Sequence, residues 1–154
     1  MPEPAIATLQ AAHRPEQKQY STFFVGNLYF GVDVLDVQEV LKHQEMTPVP
    51  KANGVISGLI NLRGQIVTAF DMRRRLNVTP RDSDKPPMNF VIRTEDGAVS
   101  LLVDEIGDVI EVKGEDFELA PKTVSEAARE MIEGVYKLED RLLLVLSTQR
   151  VLQI

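Results

Sequence analysis

The sequence contains no cysteine. Disulfides, thiolate metal sites and cysteine nucleophiles are therefore excluded, and the absence fits a cytosolic chain without requiring one. Histidine is nearly absent too. His13 and His43 stand alone, neither at metal-ligand spacing from a second ligand, and both read as solvated. No apolar run approaches the roughly 20 residues that span a bilayer. The opening stretch, MPEPAIATLQAAHRPEQK, lacks a charged segment followed by a long apolar one, so no secretory signal and no direct membrane insertion are expected. There is no G-x-x-x-x-G-K-[ST] loop, no G-x-G-x-x-G after a strand and no G-x-S-x-G. Carboxylates are plentiful, but they fall in runs such as Glu115-Asp116 that read as solvated loop. Nothing marks a paired-carboxylate site, and no cofactor or metal is expected.

What remains is a chain of 154 residues with an uneven charge. A chain of this length buries roughly 70% of its unfolded surface, enough for one ordinary domain or two very small ones. The net charge of −6 is carried by the second half: residues 1–80 sum to +1 and residues 81–154 to −7. Clustered cations are needed to hold phosphates, so the acidic half argues against nucleic acid as the main partner. It reads either as a solvated face or as a sign that the two halves meet different partners.

Taken in order, residues 1–18 carry three prolines and no sustained period, and read as a tail with a helical turn at Ile6–Ala12. Short strands dominate thereafter. Tyr20–Val25 and Leu28–Val32 flank a Gly26-Asn27 turn. Asp33–Leu41 reads as a helical turn running into a strand. Thr47–Pro50, TPVP, cannot be helix interior. Val55–Asn61 and Gln65–Phe70 form a hairpin closed at Arg63-Gly64, followed by a short basic turn capped by Asp71. Residues 79–87, TPRDSDKPP, read as a surface connector. Met88–Arg93 and Ala98–Val103 form a second hairpin, and Asp108–Val112 is another strand. Thr123-Val-Ser-Glu126 has capping-box spacing ahead of a helix at Ala127–Ile132. Arg141–Leu146, RLLLVL, lacks polar alternation and reads as a strand buried on both faces.

The chain also repeats itself. At an offset of 76 residues, Ile56 falls on Ile132, Gly58 on Gly134, Phe70 on Leu146 and Leu76 on Leu152. Upstream, Val37-Gln-Glu-Val40 falls on Val109-Ile-Glu-Val112, and Val32-Asp33 on Val103-Asp104, at offsets of 72 and 71. Two copies of one β-rich unit follow, each too small to fold comfortably alone. Five short strands closed on themselves make an SH3-like or OB-like barrel, so the expected fold is all-β: two five-stranded barrels packed together, with short helical turns. The repeat also tests Arg63. In the second copy the hairpin closes with Glu139-Asp140. The fold thus does not require arginine there, and Arg63 stands between a solvated turn residue and a partner contact.

Val34, Val37 and Val40 lie three apart and form one apolar stripe, either core or the lining of a groove between the barrels. Three classes of function remain open: a polypeptide-binding scaffold, a nucleic-acid-binding double barrel using Arg63 and Arg73–Arg75, and a small enzyme with carboxylate acid–base residues.

The runs VDVLDVQEVL, TPVPKANGVISGLINLRGQIVTAFDMRRRL and LLVDEIGDVIEV, with the closing hairpin, resemble the CheW-like domain family of chemotaxis adaptors from about Tyr20 to Leu152. The resemblance implies a tail at 1–18 and a CheW-like domain at 19–154. Its first barrel would cover about 19–84 and its second about 85–154, with strand exchange between them allowed. It implies a non-catalytic, cytoplasmic protein recruited to membrane receptor arrays. Two partners are implied: the CheW-like regulatory domain of the histidine kinase CheA, with alternating contacts building rings, and the cytoplasmic hairpin tip of transmembrane chemoreceptors. Motif by motif, the receptor groove falls on Val34, Val37, Val40 and Ile106, with Glu39 and Arg63 as charged positions beside it. The kinase-facing surface falls on Thr47, Pro48, Val49, Pro50 and Gly58. Ser21 stands where some relatives carry an apolar groove residue.

Overall fold

The computed structural model describes residues 17–81 and 84–154, so the expected helical turn at Ile6–Ala12 lies outside the described residues. Eleven strands and a few short helical turns make up the described chain. The strands are β1 Gln17–Val25, β2 Leu28–Asp33, β3 Val37–Leu41, β4 Ile56–Leu62, β5 Gln65–Asp71, β6 Met88–Thr94, β7 Gly97–Val103, β8 Glu105–Lys113, β9 Phe117–Glu118, β10 Ile132–Lys137 and β11 Leu142–Leu146. Two α-helical turns, α1 Met72–Arg75 and α2 Glu126–Arg129, follow β5 and precede β10. The fold is all-β, in two sheets.

The sheets do not divide the chain at residue 84. One has the order β8-β1-β2-β11-β10-β9, the other β3-β6-β7-β5-β4. Each copy of the repeat therefore gives its first two strands to the sheet that the other copy completes. The exchange is symmetric pair by pair. Phe23 opposite Phe30 in the first copy becomes Ile92 opposite Val99 in the second, 69 residues on. Thr68 beside Val99 in the parallel pair β5–β7 becomes Leu144 beside Phe30 in β11–β2. The later hairpin keeps the offset of 76 read in the sequence: Ile56 opposite Phe70 matches Ile132 opposite Leu146, and a bulge follows Ile56 and Ile132 alike. The earlier strands instead correspond at 69, so the sequence matches at 72 and 71 were out of register by three and two residues. Val-x-Glu-Val recurs in both segments, and a short apolar pattern fits a strand in more than one register.

Interleaving explains why several strands are apolar on both faces. One large cluster runs through both sheets and includes Phe23, Phe30, Phe90, Ile92, Leu101, Met131, Leu144 and Leu146. Each sheet also has a smaller cluster on its other face, Tyr20, Tyr29, Tyr136, Leu143 and Val145 in one and Ile60, Leu62, Val67 and Val91 in the other. Along β11, Leu143 and Val145 thus face one cluster while Leu144 and Leu146 face another, which is why the run shows no polar alternation.

Gly58 and Gly134 owe their place to a close approach of backbone. A Cβ on Gly58 would stand 2.7 Å from the carbonyl oxygen of Thr47, and one on Gly134 would stand 2.5 Å from that of Glu118. In each copy the segment after the third strand crosses the hairpin at this point and pairs with it, Thr47 with Leu59 and Glu118 with Val135. Paired glycines at one offset are thereby a requirement of the fold.

Helix α2 departs from the sequence expectation. Its cap is Ser125, whose hydroxyl accepts the Ala128 N–H at 3.2 Å, and the helix stops at Arg129. Thr123 is not the capping residue, and Ile132 already belongs to β10, because its backbone is needed opposite Leu146. The connector is likewise more than exposed surface: its Arg81 is half-buried and pairs with Asp104.

Candidate functional site

Residues three apart in a regular strand point to opposite faces. The valine stripe escapes this through two devices. Asp33 accepts the Leu35 N–H at 2.9 Å and caps a 3-10 turn at Val34–Asp36, which carries the chain from one sheet into the other. The following strand β3 then bulges between Val37 and Glu39, so that Val37 lies opposite Ile92 and Val40 opposite Phe90. Val37 and Val40 end on one face, half-buried against the central cluster. Val34 does not join them. It lines a separate depression with Gln17, Lys18, Leu35 and Glu111.

Strand β8 repeats the device in the other sheet. It too carries an extra residue against β1, so that Ile106 lies opposite Phe23 and Val109 opposite Ser21. At the offset of 69, Ile106 is the counterpart of Val37 and Val109 that of Val40. Ile106 packs on the same central cluster as the two valines. Strands β3 and β8 each lie at one edge of their sheet. The two edge strands thus offer equivalent apolar walls, Val37 and Val40 on β3 and Ile106 and Val109 on β8, and Val37, Val40 and Ile106 all pack on the central cluster. The site residues Val37, Val40 and Ile106 thus come together, and Val34 stays apart.

Val109 is a residue the sequence reading missed. It is 59% exposed, and Leu35, also missed, is 79% exposed. The signal for Val109 was present in the repeat, hidden by the register that matched it to Val37 instead of Val40. Ser21 is buried, and the apolar surface at that edge comes from its cross-strand neighbour Val109.

Glu39 and Arg63 meet. They come from β3 and from the tip of the β4–β5 hairpin, and the Arg63 guanidinium donates directly to the Glu39 carboxylate. The pair sits at the surface, the Arg63 side chain 73% exposed and the Glu39 side chain 18%. The Arg63 hydrogen bond holds the Glu39 carboxyl below its usual range. The hairpin tip is a two-residue turn with both residues left-handed, Arg63 at φ 52° and Gly64 at φ 88°. Such turns favour Asn-Gly, and an arginine in this region carries about 1 kcal/mol of backbone cost. The second copy closes the equivalent turn with the Leu138 N–H bonded to the Arg141 carbonyl at 2.8 Å, and neither Glu139 nor Asp140 is left-handed. Arg63 is therefore held in a conformation that the repeat does without.

Thr47, Pro48, Val49 and Pro50 are exposed, in one segment braced against β4 by two 2.8 Å hydrogen bonds between Thr47 and Leu59. Gly58 is a correction: it is buried beneath that segment, where a side chain would collide with the Thr47 carbonyl, and so supports the surface without forming it.

The arginine run is not a free basic face. Arg73 makes a two-point contact with Asp104, Nε at 2.8 Å and Nη2 at 2.6 Å. Arg75 donates to the carbonyls of Val151 and Arg150 and is only 10% exposed. Arg74 alone is largely exposed, and it bonds the Gly54 carbonyl and Asp71. A nucleic-acid surface would need these cations outward. Among the described residues no group of three His, Asp or Glu side chains could hold a metal ion, and no helix is long and apolar enough to cross a membrane.

The CheW-like domain model matches residues 19–154. The chain belongs to the CheW-like domain family. It is 31% identical over 139 residues to a chemotaxis protein CheW of Treponema pallidum, covering 88% of this chain and 82% of that one. It is 34% identical over 130 residues to a chemotaxis protein CheW of Bacillus subtilis, covering 84% and 83%. The crystal structure of the scaffolding protein TtCheW from Thermoanaerobacter tengcongensis superimposes with a TM-score of 0.81 at 25% identity, over 90% of this chain and 94% of that one.

Proposed function

We propose that this protein is a non-catalytic chemotaxis adaptor that couples chemoreceptors to the histidine kinase CheA. The observation that carries the reading is the pair of equivalent apolar walls, one from each copy, Val37–Val40 and Ile106–Val109, with the Glu39–Arg63 pair on the first. A two-helix receptor tip presents apolar residues at helical spacing, and a shallow apolar face with a polar rim suits it. The Thr47–Pro50 segment, exposed and pinned to β4, is the proposed kinase contact. The protein works in the cytoplasm, recruited to receptor arrays, where alternation with the kinase domain extends the assembly into rings.

The experiment is a pulldown of receptor-tip fragment and CheA regulatory domain by this protein and its variants. Val37→Asp and the more exposed Val109→Asp are expected to lose the receptor fragment, since each places an unpaired charge in a desolvated contact at a cost of several kcal/mol. Both should keep the kinase domain, which also reports that the fold is intact. Retained receptor binding by a folded Val109→Asp protein would sink the assignment. Arg63→Asn, which suits the left-handed turn better, is expected to leave the urea midpoint unchanged or raised and to weaken assembly.

A further inference from the structure

We infer that the docking face reads the orientation of its occupant, and that Asp108 is the residue that sets it. The inference rests on the receptor reading above and deepens it. The two apolar walls are equivalent residue for residue, Val37 with Ile106 and Val40 with Val109. A two-helix tip, whose own halves are similar, would meet such a face almost equally well in either of two orientations. Apolar contact is non-directional and does not separate them.

The charges at the two walls do separate them. The counterpart of Glu39 on the second wall is Asp108, by the same offset of 69. Glu39 is neutralised by Arg63 from the hairpin tip. The matching hairpin tip in the second copy offers Glu139-Asp140 instead of a cation. Asp108 is exposed, and no salt bridge engages it among the described residues. What fixes Asp108 is its backbone: the bulge holds its carbonyl as acceptor for the buried Thr22 hydroxyl, and Gly107 before it leaves no room for a side chain against Thr22. The carboxylate is thus presented from a rigid point with its charge uncompensated. Glu105 and Glu111 on the same strand are exposed as well, against the single cation Lys113 at its end. One wall is therefore close to neutral and the other anionic. An occupant with a cation on one of its two helices is steered to put that helix against β8, and a like-charged one is turned away.

The absence of native cysteine allows a direct test. Single cysteines are placed at Lys42, just beyond β3, and at Lys113, at the end of β8, in the otherwise native chain. Each is cross-linked to a receptor-tip fragment with one cysteine on its first helix. Unequal yields at the two positions are expected. Asp108→Asn is expected to bring the yields toward equality and weaken binding about three- to tenfold, as for loss of one charged contact at an interface rim. Reversing the charge of the occupant's basic residue should mimic Asp108→Asn, and Asp108→Lys combined with that reversal should restore the bias. An unequal yield that Asp108→Asn leaves unchanged overturns the inference, as does an equal yield in the native chain. Failure of the receptor reading itself looks different: Val109→Asp would then leave cross-linking at both positions intact.

Discussion

Asp104 lies where four segments meet. Its carboxylate takes the two-point contact from Arg73, a 3.2 Å bond from Arg81 and the Gly26 N–H at 2.7 Å. These tie α1, the 79–81 segment and the β1–β2 turn to the corner between β7 and β8. Burial pushes the Asp104 carboxyl up, but the Arg73 and Gly26 hydrogen bonds and the charges of Arg73 and Arg81 together outweigh it, so the group stays below its ordinary range. A carboxyl depressed in the folded state stabilises above its unfolded pKa and loses that stabilisation as pH falls through the folded value. Asp104→Asn is therefore expected to cost about 2–4 kcal/mol near neutral pH, where it strands two mostly buried guanidiniums. The gap between wild type and variant should begin to narrow as pH falls into the ordinary carboxylate range, where the unfolded chain's carboxyl takes up a proton, and should close only at lower pH, where the depressed native carboxyl is protonated too. Urea unfolding at a series of pH values measures it, and a gap independent of pH would exclude the charge as its source. Asp71 was legible in sequence as a cap, because capping is local. Asp104 and Arg81 were not, since their partners stand 31 and 23 residues away from Asp104 and only the folded corner joins them.

Among the elements, α2 shows how a correct local signal can be assigned to the wrong residue. Thr123-Val-Ser-Glu126 offers two hydroxyls at plausible cap positions. Ser125 takes the role because Met131 and Ile132 are claimed by the central cluster and by β10, which fixes where the short helix must end and hence where it begins. Ser125→Ala should lower stability by about 1 kcal/mol, the usual worth of such a cap, whereas Thr123→Ala should stay within about 0.5 kcal/mol. Thermal or urea unfolding of the two variants distinguishes the assignments, and the reverse ranking would restore Thr123. The strands β3 and β8 carry the same lesson for the site. Val37 and Val40 were rightly grouped, but a helical spacing does not put strand residues on one face. The bulge does, and bulges leave little mark in a single sequence.

At the scale of the molecule, the two copies cannot be separated by cutting the chain between them. A fragment ending at residue 84 holds β1 and β2 without β8 and β11, and β3 without β6, while the complementary fragment lacks the converse strands. The first would expose the apolar faces of Phe23 and Phe30 and the second those of Phe90 and Leu101, which now share one cluster. The fragments 1–84 and 85–154 are thus expected to be unfolded alone and to assemble when mixed, as read by dispersion of amide resonances. A well-dispersed spectrum from either fragment alone would contradict the interleaved fold.

Local patterning by itself determined the strand content, the hairpins, the duplication, the Gly58–Gly134 correspondence and the family. Each of these rests on residues near in sequence, or on two segments of like pattern compared with each other. Which sheet each strand joins, the true offset of the early strands, the Glu39–Arg63 pair, the Asp104 cluster and the place of Val109 were decided only by tertiary structure. All depend on the exchange of strands between the two copies, and that exchange is fixed by burying two small apolar surfaces against each other. Such burial is a property of the assembled chain, and no segment records it alone.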